Sequence, residues 1–158
     1  MLAHIPTAAN MGDFTKLSVW KKAHELTLRV YRETAMWPKH ELYGLTSQSR
    51  RAAVSVPANI AEGCGKNSDA ELAKHARQSL GSSSELSYYL ILAHDLSYIT
   101  RPWRDETQDA LSEVRRMLAS LERVSATAAE RALPRTKLHR NSRPARRRSI
   151  AVKLMADG

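Results

Sequence analysis

Cysteine, phenylalanine and long apolar runs are all scarce in this chain. Its 158 residues include one cysteine and one phenylalanine, and aromatic residues make up only 6%. A single cysteine, Cys64, excludes an intramolecular disulfide and a cysteine-based metal site, and fits a reducing cytoplasm. With so few aromatics and so much alanine, leucine and serine, the composition fits a helical bundle better than a sheet sandwich. The longest apolar run, Tyr88–Ala93, falls far short of a membrane span, so no membrane partner is expected. Met1–Asp13 has no basic opening and no long apolar stretch, so a signal peptide is not expected there. At this length the chain reads as one domain with a real core.

Motifs for chemistry are missing too. The six histidines (His4, His24, His40, His75, His94 and His139) form no His-x-x-x-His or His-Glu-x-x-His pattern. The inward-facing Glu-x-x-His pairs of a di-iron bundle are absent. His75 and His94 read as surface or seam residues. Gly63-Cys64-Gly65-Lys66-Asn67-Ser68 ends in Gly-Lys before a helix but lacks the first glycine of a phosphate loop, so it reads as a turn. Cys64, close to Lys66 and a helix start, sits where a thiol pKa can fall. A catalytic cysteine also needs a base beside it, and the sequence identifies none. No cofactor and no catalytic residue is expected.

What is present is a helix-forming pattern from end to end, followed by charge. Met1–Asp13 reads as a disordered leader, residues 14–132 as an all-α, antiparallel up-and-down four-helix bundle, and residues 133–158 as a basic, disordered tail. The first helix is predicted from about Thr15 to Met36, with Val19, Ala23, Leu26 and Val30 as its seam and Trp20, Thr27, Tyr31 and Thr34 alongside. Trp37-Pro38 ends it. The second runs from His40 or Leu45 to Glu62. The third opens at Ser68-Asp69-Ala70-Glu71, a capping-box pattern, and continues to about Tyr98. Its seam of Leu72, Ala76, Ser79, Ser83, Leu86, Leu90, Ala93 and Ser97 keeps an unbroken 4-3 spacing. Leu86–Ala93 is apolar almost all round, which suggests contact between subunits, unless Tyr88 and Ile91 are simply exposed. The fourth follows Thr100-Arg101-Pro102 and reaches about Ala132, with Thr107, Leu111, Val114, Leu118, Leu121, Ser125 and Ala128 in register.

The stretch Tyr43–Gly63 is the most distinctive. Ser47, Ser49, Ala52, Ala53, Ser55, Ala58 and Ala61 let another helix approach closely, and Leu45, Ala52, Val56 and Ile60 form its apolar stripe. Pro57 inside this pattern predicts a kink near Val54–Pro57. Gly63 is expected to stop the helix, because glycine adopts positive φ readily. Glu62, at the negative end of the helix dipole, is expected to find a cation such as Lys66, Arg77 or one on another subunit, unless solvent alone meets it. Arg50 and Arg51 either bind phosphate or pair with a carboxylate on a neighbouring helix or subunit.

From Phe14 to Leu121 the chain resembles the four-helix-bundle family first noticed in intervening sequences of bacterial large-subunit ribosomal RNA genes. The resemblance is carried by Leu17-Ser18-Val19-Trp20-Lys21-Lys22-Ala23, Leu28-Arg29-Val30-Tyr31, Tyr43-Gly44-Leu45-Thr46, Gln48–Ser55, Asn59-Ile60-Ala61-Glu62-Gly63 and Gly81-Ser82-Ser83-Ser84-Glu85-Leu86. It implies an up-and-down bundle that assembles into a homo-oligomeric ring, typically a pentamer. It is also similar to the accessory variability proteins of diversity-generating retroelements, which bind a reverse transcriptase and nucleic acid. The resemblance carries over no catalytic residue.

Net charge is +9, and it is unevenly placed. Residues 131–158 hold nine Lys or Arg and one acid, whereas residues 1–130 hold 16 basic and 15 acidic residues. A nearly neutral bundle thus carries a basic tail whose densest part is Arg140, Arg143, Arg146, Arg147 and Arg148. Flexible basic segments bind phosphate backbones through counterion release. The leading expectation is a non-enzymatic oligomeric bundle that binds RNA or other nucleic acid through this tail and through Arg50 and Arg51. The alternative is a protein adaptor, for example to a reverse transcriptase, with no direct nucleic-acid role.

Overall fold

The computed structural model describes residues 13–133. A short 3₁₀ turn, Phe14–Lys16, leads into α1 (Ser18–Thr34). A second one, Lys39–Glu41, precedes α2 (Leu45–Gly65), and α3 (Asp69–Asp95) and α4 (Arg101–Ala132) follow. The helices form an antiparallel up-and-down bundle. Each packs on its sequence neighbour and α4 closes the square against α1; α2–α3 and α3–α4 are the most extensive seams, α1–α4 the sparsest. Of the expected leader Met1–Asp13, only Asp13 is described, and of the expected tail 133–158 only Leu133; the rest lies outside the described residues.

The apolar seams bury as their spacing dictates. Val19, Ala23, Leu26 and Val30 of α1, Leu72 through Ala93 of the α3 seam, and Thr107, Leu111, Val114 and Leu118 of α4 are all buried. The core falls into two clusters. The one at the α1–α2 loop end holds Leu26, Val30, Trp37, Leu45, Leu86, Leu90, Ile99 and Leu111. The other holds Val19, Val56, Ile60, Cys64, Leu72, Val114 and Leu118. Between them lies a waist of small and polar groups. There the single Thr27 hydroxyl proton is shared between the carbonyls of Ala23 and Ala53, both 2.9 Å from Oγ1, and Ser79 Oγ donates to Val56 O at 2.8 Å.

The Thr27 contact answers a problem that Pro57 creates. Proline has no N–H to give the carbonyl four residues back, and that carbonyl is Ala53 O. Helix α2 nevertheless runs through Pro57, with the α1 hydroxyl standing in for the missing donor. An unmet buried acceptor costs about 1–3 kcal/mol.

Several helix ends differ from expectation, each for a physical reason. Gly63 does not stop α2; the helix passes through it to Gly65, and the residue with positive φ is Asn67, at 49°. Gly63 is there for proximity. A Cβ on it would lie 2.9 Å from His75 Cβ and 3.1 Å from Leu72 Cδ1 of α3. The capping box at Ser68 does not form, because Ser68 makes no side-chain cap hydrogen bond and Glu71 turns to Lys74 instead, at 3.2 Å. Helix α3 stops at Asp95, not Tyr98. Ser97 takes φ 60°, and its N–H and that of Tyr98 return to His94 O and Ala93 O, the paired bonds of a Schellman ending. Helix α1 ends at Thr34, two residues early, as Trp37 turns in to be buried in the first cluster. Thr100 caps α4 as its sequence suggests, accepting from Trp103 N.

Candidate functional site

Three places bring together side chains that could act. The first is the start of α2. Arg50 and Arg51 are adjacent in sequence, but the helix turns them apart. Arg50 is half-buried: its Nε donates to Thr34 Oγ1 at 2.7 Å, and its guanidinium lies over the Tyr31 ring, 5.0 Å from the centroid. Arg51 is exposed and donates from Nη2 to Gln48 Oε1 at 2.9 Å. Among the described residues neither arginine pairs with a carboxylate, so the expected helix-to-helix ion pair is not what holds them. Among the described residues, neither guanidinium has all of its N–H groups engaged. The remaining arginines singled out by sequence, Arg140, Arg143, Arg146, Arg147 and Arg148, lie outside the described residues. The described chain ends at Leu133, just after the C-terminus of α4, at the end of the bundle opposite Arg50 and Arg51.

The second place is where α2 ends and α3 begins. His75 is 5% exposed. Its Nδ1 lies 3.4 Å from Asn59 Oδ1, and its Nε2 lies 3.7 Å from Glu62 Oε1 and 3.8 Å from Glu71 Oε2. Asn59 is fixed by donating to Ser55 O at 2.8 Å. Glu62 also meets Lys66, one of its expected partners, at 3.8 Å. Arg77, another, pairs with Glu122 of α4 at 2.9 Å instead. The Asn-x-x-Glu-Gly signature is therefore one construction: Gly63 admits α3, and Asn59 and Glu62 face the histidine it brings. The sequence pointed to Asn59 and Glu62 only as a motif; the identity of their partner needed the α2–α3 register. Cys64, beside this cluster, is buried. Burial pushes its thiol pKa up, the reverse of the activation that its sequence neighbours suggest. Among the described residues, no group of three or more His, Cys, Asp or Glu side chains is placed to hold a metal ion.

The third place is a groove of about 430 Å³ between α1 and α2. Phe14, Trp20, His24, Leu28 and Tyr31 form one wall, and Val54, Pro57, Ala58 and Ala61 the other. The Trp20 and His24 rings stack 5.0 Å apart, and Phe14 leans on Trp20 at 5.1 Å. Leu28, Tyr31 and Val54 each remain at least 40% exposed. Elsewhere, Tyr88 and Ile91 stand out from α3 at 58% and 46%. The all-apolar half of α3 thus leaves two large side chains unburied within the protomer.

Comparison with known proteins agrees with the fold. A solved structure from Bacteroides thetaiotaomicron, of a protein with unknown function from the S23 ribosomal protein family, aligns with a TM-score of 0.59 at 24% identity. The alignment covers 66% of this chain and 97% of that one. No curated protein matches. Among the described residues, no helix is long and apolar enough to cross a membrane. Residues 15–120 match the family model of the 23S rRNA-intervening sequence proteins, which takes in the Asn59–Gly63 signature, the α2–α3 register built on it and most of α4. On that match, the chain belongs to the 23S rRNA-intervening sequence protein family.

Proposed function

We propose that this protein is a non-enzymatic, cytoplasmic, homo-oligomeric bundle that binds RNA through its arginine-rich tail and the start of α2. The observation that carries the reading is the charge distribution. Residues 1–130 are almost neutral, whereas residues 131–158 hold nine basic residues against one acid. Membership of a family named for a ribosomal RNA intervening sequence supports RNA as the ligand. In a ring, typically of five protomers, the tails would be gathered into one multivalent array. Tyr88 and Ile91, exposed on α3, supply an apolar surface for such assembly.

The tail reads phosphate, so sequence choice is expected to be slight. The test is RNA binding across a salt series, comparing the full chain with one ending at Ala132. Single-stranded binding loses about 0.7 units of log–log salt slope per phosphate contact removed. Losing the contacts of Arg140, Arg143, Arg146, Arg147 and Arg148 should therefore flatten the slope by about 3.5 units. An Arg50→Ala/Arg51→Ala variant should flatten it by about one. If the full chain leaves RNA unbound at low salt, the proposal fails. The second reading, an adaptor whose ring surface docks a protein such as a reverse transcriptase, then takes its place; the exposed Tyr88 and Ile91 are what favour it.

A further inference from the structure

We infer that the apolar groove between α1 and α2 is the docking site of the chain's own leader, residues 1–12. The groove is already framed by a residue next to that segment. Phe14 forms one end of its wall, and the Phe14–Lys16 turn packs against both α1 and α2. The chain is thus delivered onto this face immediately before α1 begins.

The chemistry and the reach both fit. Residues 1–12 contain no Lys, Arg, Asp or Glu, although the whole chain is 26% charged. They offer Leu2, Ile5 and Met11 together with Ala3, Ala8 and Ala9. The groove walls they meet are almost wholly aromatic and aliphatic. Twelve extended residues reach about 40 Å, while the wall from Trp20 to Tyr31 rises only about 17 Å along α1. The leader can therefore cover the groove within the same protomer. Covering it shields Leu28, Tyr31 and Val54, whose exposure side by side otherwise leaves an apolar patch in water.

The test compares the full chain with one lacking residues 1–12, using an apolar fluorescent dye and a synthetic peptide of residues 1–12. The shortened chain should bind the dye severalfold more strongly than the full chain. The peptide should displace the dye, and the displacement should be lost when Ala58, exposed on the α2 wall, is changed to Trp. In the peptide, Ile5→Asp should weaken binding by about tenfold or more, the loss expected for one buried aliphatic side chain; this variant leaves the bundle untouched. Protection in the full chain should not change on dilution, because the contact is intramolecular. Equal dye binding by the two chains overturns the inference. So does a peptide that binds the Ala58→Trp chain equally well. Protection that disappears on dilution also overturns it, and assigns the groove to a second copy.

Discussion

Between α2 and α3, contact is made by the smallest side chains in the bundle. Gly63 touches His75 and Leu72, Ser79 reaches the Val56 carbonyl, and Ser82 Oγ donates to Ser55 Oγ at 2.9 Å. Between α1 and α4, contact is made by the longest. Arg29 reaches Glu106 at 2.7 Å and stacks 5.3 Å over Trp103, while Lys22 reaches Glu113 at 3.1 Å. Small residues bring two backbones together and leave no slack. Long charged ones span a gap, here about 180 Å³ between Lys22, Arg29, Ala110 and Glu113, and can re-aim if a partner goes. The first kind of seam should be brittle and the second forgiving.

The strongest way to break the contrast is Gly63→Val. The added carbons enter space already held by His75 and Leu72, and overpacking of this kind costs about 3 kcal/mol. Urea unfolding should show that loss. Gly81, one helix away, has nothing within 4 Å of an added Cβ. There Gly81→Ala should raise stability by about 1 kcal/mol through helix propensity alone. Two helical glycines should therefore respond with opposite signs; equal responses would mean that the α2–α3 seam has slack after all.

The α1–α2 seam sharpens the comparison, since it depends on one hydroxyl. Thr27→Val should cost about 2 kcal/mol, because Ala53 O is left buried with neither Pro57 nor Thr27 to meet it. In a Pro57→Ala background the helix regains its own donor, and the same Thr27→Val change should cost about half as much or less. Additive losses in the double-mutant cycle would show that Thr27 does not serve that carbonyl.

The smallest effect belongs to the forgiving seam. Lys22 and Glu113 are both nearly half exposed. Lys22→Ala should cost about 0.5 kcal/mol or less and lose even that at high salt. A larger, salt-independent loss would mean that the pair organises the α1–α4 contact instead of decorating it.

Which parts of this were legible in the sequence follows from the same contrast. The α3 seam from Leu72 to Ala93 and the α4 seam from Thr107 to Leu118 could be read residue by residue, because apolar spacing is a property of one helix alone, whereas Ser97 lies beyond α3 and is exposed and Leu121 and Ala128 are only partly buried. Gly63 was legible as important but was misread as a helix stop, since its real constraint is the distance to a second helix. The same holds for Glu71, whose partners Lys74 and His75 compete with the cap that the local pattern suggests. Ser97 gave no warning of a left-handed turn, which sequence reasoning looks for at glycine. Arg50 showed its charge but not its fate, for the Thr34 and Tyr31 that hold it belong to another helix.

The carbonyl of Ala53 has one more implication, for how this protein can come into being. A peptide of α2 alone would carry an acceptor in its middle that no part of that peptide is placed to meet, and would fray or bend there. The smallest piece that brings a donor to this carbonyl is the α1–α2 hairpin. The two helices are therefore expected to form together during synthesis and to be inherited together. A truncation that removes the N-terminal half of the chain's first hairpin should cost the second half its shape as well.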